Sequence, residues 1–255
     1  MTPRFAGKTA IVTGAASPLG IGFATASRLA REGANVVLTD LDGAAVAART
    51  AELVQAGHIA LGLSHDVSNE EAWRNTLAAS QQRFGVIDLL VNNAGMVILK
   101  SIDTQTEDDF RRQLDVNLTS VYVGCRAVIA HFRQHARRGV IVNVSSIAGL
   151  VGMRRCAGYA ASKGGVRLLS KVLALETAAE GIRVNTVHPG VIQTAIQAVS
   201  SADGGAQSAQ IHATIPMQRM GRAEDVAAMI AFLGSDDAAY VTGAEFVVDG
   251  GLTAQ

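Results

Sequence analysis

The sequence predicts an α/β protein: one doubly wound parallel sheet of about seven strands with helices on both faces. Three observations carry that expectation. Short apolar runs alternate with longer amphipathic segments along nearly the whole chain. The runs are continuously apolar rather than alternating, which marks strands covered on both faces. No linker, repeat or second composition divides the 255 residues, a length that one such domain can fill.

The elements follow in order. "KTAIVTG" (8–14) reads as a buried strand and 20–32 as the helix after it. "NVVLTD" (35–40) is the second strand, before a helix over 42–57. "IALGLSHDV" (59–67) is the third, before a helix over 69–84. "IDLLVNNAG" (87–95) is the fourth, and a long helical region covers 106–135. "GVIVNVSS" (139–146) is the fifth, followed by a loop and a helix over 159–180. "IRVNTVHPG" (182–190), a helix over 222–234 and "AEFVVDGG" (244–251) complete the pattern. In such sheets ligands bind beyond the carboxyl ends of the strands, where the strand order reverses. The strand-ending residues Gly14, Asp40, Asp66, Asn93, Ser146 and Pro189 are therefore site candidates. Residues 195–215 break the rhythm, being small, polar and weakly periodic. They read as a lid over a site or as a surface excursion.

Composition narrows the partners. Hydrophobic residues make up 49% and aromatics only 4%, so Ala, Val, Leu and Ile must fill the core. Lys+Arg and Asp+Glu both number 22, so no net charge draws the chain to nucleic acid or an anionic membrane. Near-neutrality also suits self-association. Cys125 and Cys156 make no metal or disulfide framework, and reduced thiols fit a cytoplasmic protein. The N-terminus has no apolar signal region, and no apolar run is long enough to span a membrane. His131 and His135 share a helix face but lack a third ligand, so no metal is expected.

"TGAASPLGIG" (13–22) spaces Gly14, Gly20 and Gly22 unlike either common phosphate loop. Its place is right for a nucleotide, between a strand and a helix. Gly14 can take a positive φ, and Gly20 can bring a pyrophosphate to the helix N-terminus. Gly22 can let the helix pack on the strand. A plain turn is the competing reading. Asp40 closes the second strand, where an acid accepts from the ribose hydroxyls of NAD and repels the 2′-phosphate of NADP. No Arg or Lys occupies 13–22 or 35–42. A helix-capping Asp40 is the alternative.

"TG…GIG", "NNAG" (92–95), Asn117 in "DVNLTSVY", "VNVSS" (142–146), "YAASK" (159–163) and "VNTVHPGVIQT" (184–194) share an order with one family. Over nearly its whole length the chain resembles the short-chain dehydrogenases/reductases, with a feel of NAD-dependent hydroxysteroid and alicyclic alcohol dehydrogenases. Pro18-Leu19 looks like a two-residue insertion in the family's loop. The resemblance implies a single Rossmann-like domain over 1–255 binding NAD, with Asn117, Ser146, Tyr159 and Lys163 catalytic. It places cofactor contacts in the first loop at Gly14, Ser17, Gly20 and Ile21. Others fall at Asp40, Leu41, Asp66 and Val67, then at Asn93, Ala94 and Gly95. Tyr159 and Lys163 add theirs, and Pro189, Gly190, Ile192 and Thr194 complete the set. Substrate contacts fall on Met96, Ser146, Met153, Cys156 and Tyr159, with Val97, Ile147, Arg154, Arg155 and the lid around them. His188 reads as a strand-end structural residue or a substrate contact.

The chemistry has a physical logic. Tyr159 and Lys163 stand four apart on one helix face. A phenol of pKa about 10 is a poor base at neutral pH. A nearby Lys ammonium and a cationic nicotinamide both favour phenolate. Tyr159 would then be general base in oxidation and acid in reduction, with Ser146 holding the substrate oxygen. Lys163 would also hold the nicotinamide ribose. In the family Asn117 holds a water that relays protons; a core hydrogen-bonding amide is the alternative. The mostly apolar substrate set suggests a hydrophobic ketone or secondary alcohol. A 3-oxoacyl carrier-protein reductase and a non-catalytic NAD-responsive binding protein are the rivals. Small residues at Ala160, Ala161, Gly164 and Gly165, with the family's habits, suggest a homotetramer.

Overall fold

The computed structural model describes residues 3–194 and 213–254. Of the expected lid, 195–212 lie outside the described residues, and Ile215 at its end is buried. Seven strands make one sheet: β1 Thr9–Thr13, β2 Asn35–Asp40, β3 Ala60–Ser64, β4 Leu89–Asn92, β5 Gly139–Val144, β6 Ile182–Pro189 and β7 Glu245–Val248. Every pairing is parallel, in the order β3-β2-β1-β4-β5-β6-β7. The order reverses between β1 and β4, so the loops after these neighbours part and leave a crevice.

Alternate side chains of each strand feed two cores. Val12, Val36, Leu38, Val91 and Val142 pack with Ala26 and Leu29 of α1 (Ile21–Arg31). Ile230 of α7 (Ala223–Gly234) joins them. Ile11, Val37, Leu90, Ile141 and Val184 face the opposite way. They meet Trp73 of α3 (Glu70–Phe84), Phe132 of α5 (Ser120–Gln134) and Val166 of α6 (Ala157–Thr177). Both faces are therefore covered, as continuous apolar runs require. The outer helices start on ordinary caps. Asp42 Oδ1 accepts from Ala45 N at 2.9 Å ahead of α2 (Gly43–Gln55). Asn69 caps α3, and Thr106 with Asp109 boxes α4 (Glu107–Leu114).

Three local features depart from the sequence reading. The helical region over 106–135 is two helices joined by a π-helical turn, Asp115–Thr119, with buried Asn117 inside it. β3 and β5 stop short, so Asp66 and Ser146 stand beyond the strand ends. Gly165, expected to admit a partner helix, packs within the chain: a Cβ there would lie 2.6 Å from Leu118 Cδ2. No described helix is long and apolar enough to cross a membrane. No group of three potential metal ligands occurs among the described residues.

His65 follows β3 and is buried, with Nδ1 3.1 Å from Thr39 Oγ1 and its ring edge-on to Trp73 at 4.5 Å. Burial pushes its pKa down to about 4, against the pull of Asp66. The unfolded chain therefore takes up this proton first as pH falls. The stabilisation present above pH ~6.5 drains away toward pH ~4, by up to about 3 kcal/mol. The expected outcome is a steep fall of the urea midpoint between pH 7 and 4.5 that flattens in His65→Asn. An unchanged slope in the variant assigns the acid sensitivity elsewhere.

Candidate active site

The crevice opens into a cavity of about 290 Å³ along the carboxyl edge of the sheet. One end is the first glycine loop. Gly14 has φ 67°, and a Cβ on it would fall 2.7 Å from Ala94 Cα. A Cβ on Gly22 would fall 2.2 Å from Gly14 O, so α1 lies directly on the loop. Gly20 starts α1 with no side-chain cap, and no acid sits in the first turn. Ser17, Gly20 and Ile21 of that turn line the cavity, with Gly20 N donating to Ser17 O at 3.0 Å. An anion suits such a turn. The loop is thus more than a chain reversal, and its donors and glycine cradle fit a pyrophosphate.

Asp40 lines the cavity next to this turn. Its Oδ2 accepts from Ala16 N at 3.0 Å and its Oδ1 from Asp42 N at 3.2 Å. Helix capping falls to Asp42 instead. Three expected cofactor contacts lie away from the cavity lining. Leu41 points to solvent at 74% exposure. Asp66 closes a turn, its Oδ1 accepting from Ser68 N at 2.9 Å and Ser68 Oγ at 2.6 Å. Val67 is held through its carbonyl, which accepts from Trp73 Nε1 at 2.9 Å.

Asn93, Ala94 and Gly95 form the neighbouring wall. The Asn93 side chain faces the loop, with Nδ2 donating to Thr13 O at 2.9 Å and Gly14 O at 3.0 Å. Thr13 Oγ1 in turn accepts from Asn93 N and Ala94 N, each at 3.0 Å. Sequence reading missed this hydroxyl; its one signal is its place as the last residue of β1. Pro189, Gly190, Ile192 and Thr194 line the far wall. That stretch is strapped to Gly221, with Gln193 N donating to Gly221 O and Gly221 N to Val191 O, both at 2.9 Å.

Ser146, Tyr159 and Lys163 meet in the cavity's interior. Ser146 is extended, and its Oγ accepts from Ala148 N at 3.1 Å. The neighbouring Ser145 has its hydroxyl committed to Lys163 O at 2.9 Å. Lys163 is buried, donates from Nζ to Val144 O at 2.9 Å, and sits 5.8 Å from the centre of the Tyr159 ring. The protein's own groups do not by themselves acidify the phenol. Burial raises the Tyr159 pKa, a hydrogen bond with Ser146 works the other way, and Cys156 adds to the rise. Burial lowers Lys163 to about 8. Desolvation penalises the charged form of both groups.

Asn117 is fully buried in the π turn. Its Oδ1 accepts from Met96 N at 2.8 Å, while Nδ2 donates to Met96 O at 2.9 Å and Ser162 Oγ at 3.1 Å. The side chain braces Met96 and Ser162, with both amide protons committed. Met96 and Val97 line the cavity. Met153 and Cys156, expected to touch substrate, do not. Met153 is 42% exposed, and Cys156 is buried at the N-cap of α6. Arg155 reaches the Leu99 carbonyl at 3.4 Å from a φ of 64°. His188 is wholly buried, which excludes direct contact with substrate.

A family model described as Enoyl-(Acyl carrier protein) reductase matches residues 14–253. A 3beta-hydroxysteroid dehydrogenase 1 of Eggerthella lenta is 44% identical over 97% of this chain and 94% of its own. A Cyclopentanol dehydrogenase of Comamonas sp. is 42% identical over 97% of each. An NADP-dependent (R)-specific alcohol dehydrogenase of Lentilactobacillus kefiri is 40% identical over the whole of both. Among solved structures, a short-chain type dehydrogenase/reductase from Mycobacterium marinum superposes with a TM-score of 0.93, at 30% identity over 100% of this chain and 98% of its own. With a crevice at the strand-order reversal, a glycine-built helix N-terminus beside it and Ser146, Tyr159 and Lys163 within it, the chain belongs to the short-chain dehydrogenase/reductase family.

Proposed function

We propose that this protein moves a hydride between NAD(H) and a hydrophobic secondary alcohol or ketone, of alicyclic or steroid-like shape. The observation that carries the reading is one cavity holding Ser146, Tyr159 and Lys163 at one end and Asp40 with an uncapped helix N-terminus at the other. The bound nicotinamide supplies the hydride chemistry. The chain supplies the rest. Tyr159, kept protonated by burial, gives its proton to the substrate oxygen in reduction and takes it back in oxidation. The Ser146 hydroxyl orients that oxygen. Lys163, with its pKa near 8, is mostly ammonium at pH 7 and favours phenolate as the proton leaves. Met96, Val97 and Ile192 give the substrate side apolar surface, and relatives named for a hydroxysteroid and for cyclopentanol agree with that.

Tyr159→Phe is expected to lower kcat by at least about 10²-fold on cyclic alcohols while NADH still binds. Full turnover by the variant removes the mechanism. Acetoacetyl thioesters in the same panel test the rival carrier-protein substrate.

NAD rather than NADP is our reading because Asp40 presents a carboxylate where a 2′-phosphate would come. The Lentilactobacillus relative carries an NADP name, so the family accommodates either cofactor. Asp40→Ala is expected to lower the NADH-over-NADPH ratio of kcat/KM at least about tenfold. A wild-type preference for NADPH overturns this reading.

We further propose a homotetramer in the cytoplasm. Leu168, Val172 and Leu175 repeat along one face of α6 and are 64%, 45% and 84% exposed, a stripe suited to burial against another copy. Cys125 and Cys156 are free and buried. Light scattering is expected to give four chain masses across a wide dilution range, and a stable monomer refutes the assembly.

A further inference from the structure

We propose that His188, which lies outside the cavity, is a positioning residue for the proton-transfer site and acts by fixing the Ser146 backbone. The proposal rests on the dehydrogenase reading above. His188 is the penultimate residue of β6 and has no exposed surface. Its Nδ1 lies 3.1 Å from Ser146 O and its Nε2 2.9 Å from Thr186 Oγ1. A carbonyl only accepts, so Nδ1 carries the hydrogen. Burial holds the ring's pKa below its usual value, despite the Ser146 hydrogen bond and Glu245, with Arg167 and Lys163 adding to the fall. The ring is therefore neutral at pH 7, and Nε2 is the nearer of two acceptors for the Thr186 hydroxyl, at 2.9 Å against 3.4 Å for Ala244 O. Thr186 selects the tautomer that Ser146 needs.

The consequence reaches the reacting atoms through one residue. Ser146 O accepts from His188 Nδ1 and also from Gly149 N at 2.9 Å. Both lone pairs are occupied, so the peptide plane after Ser146 cannot rotate freely. The preceding residue is tied as well, with Ser145 N donating to Val187 O at 2.8 Å and Ser145 Oγ to Lys163 O at 2.9 Å. Ser146 lies just beyond β5, where sheet pairing no longer holds it. Of these anchors on the Ser146 carbonyl, His188 alone comes from another strand. It sets the direction of the Ser146 Cα–Cβ bond, and hence where the hydroxyl meets Tyr159.

Three substitutions separate this role from simple core filling. Asn places an amide N–H near the Nδ1 position and can still donate to Ser146 O. Gln places it near Nε2 and serves Thr186 instead. Leu fills space and serves neither. We expect His188→Leu and His188→Gln to lower kcat by at least about tenfold, since small misplacements of catalytic groups are amplified in rate. His188→Asn is expected to recover most of that loss. NADH dissociation constants, read by fluorescence, should stay within about twofold in all three. If Leu fails to fold, the Asn–Gln comparison decides. Equal kcat for Asn and Gln, or wild-type kcat for Leu, overturns the proposal. These outcomes are read against Tyr159→Phe. If that variant is inactive while all His188 variants match wild type, only the positioning role falls. If it remains active, the dehydrogenase mechanism falls first.

Discussion

The molecule depends on how backbone is satisfied where β1 and β4 stop being neighbours. Beyond Thr13 and Asn92 the two chains part, and N–H groups that a longer ladder would pair are released. Thr13 Oγ1 takes two of them, from Asn93 and Ala94, and Asn93 Nδ2 returns two bonds to the carbonyls of Thr13 and Gly14. Without that hydroxyl two amides in a partly buried crevice lose their partner, and each such loss is worth roughly 1–3 kcal/mol. The exchange also sets the floor of the cavity. It holds Gly14 at positive φ against Ala94, so that α1 can lie across the loop.

From that floor the site is built by withholding water. Lys163 and Tyr159 are both pushed toward their neutral forms by burial. Burial favours a protonated Tyr159 beside an amine held near pKa 8, with one Ser146 hydrogen bond favouring phenolate. A cationic group in the same cavity would favour the phenolate form of Tyr159. Low dielectric makes the pair sensitive to what binds beside it.

The sequence showed the parts governed by periodicity and by strong local chemistry. Buried strands of a parallel sheet must be continuously apolar, so β1, β2 and β5 were legible. The Tyr159–Lys163 spacing is a helix property and survived unchanged. What stayed hidden depends on competition for the same atoms. Asp66 satisfies Ser68, Val67 satisfies Trp73, and Asn117 satisfies Met96 and Ser162, and no spacing rule says which partner wins. The π turn at Asp115–Thr119 was likewise invisible, because one extra residue per turn barely disturbs an apolar pattern. Gly165 was read as room for another subunit when Leu118 of the same chain fills that room.

The cavity then divides its labour along its length. At the glycine-loop end the groups offered are backbone N–H and the Asp40 carboxylate, suited to charge and hydroxyls. At the other end the walls are Met96, Val97, Pro189 and Ile192 around three polar side chains. The first end is fixed through β1, β2 and α1. The second is fixed through β5, β6 and α6, with His188 tying Ser146, just beyond β5, to β6. Their supports share few residues. Under the function proposed above, cofactor choice can therefore change at Asp40 without disturbing Ser146, and substrate shape can change at Met96 without disturbing the glycine turn. Separate supports for binding and for proton transfer would then let one scaffold accept many alcohols while keeping a single acid–base device.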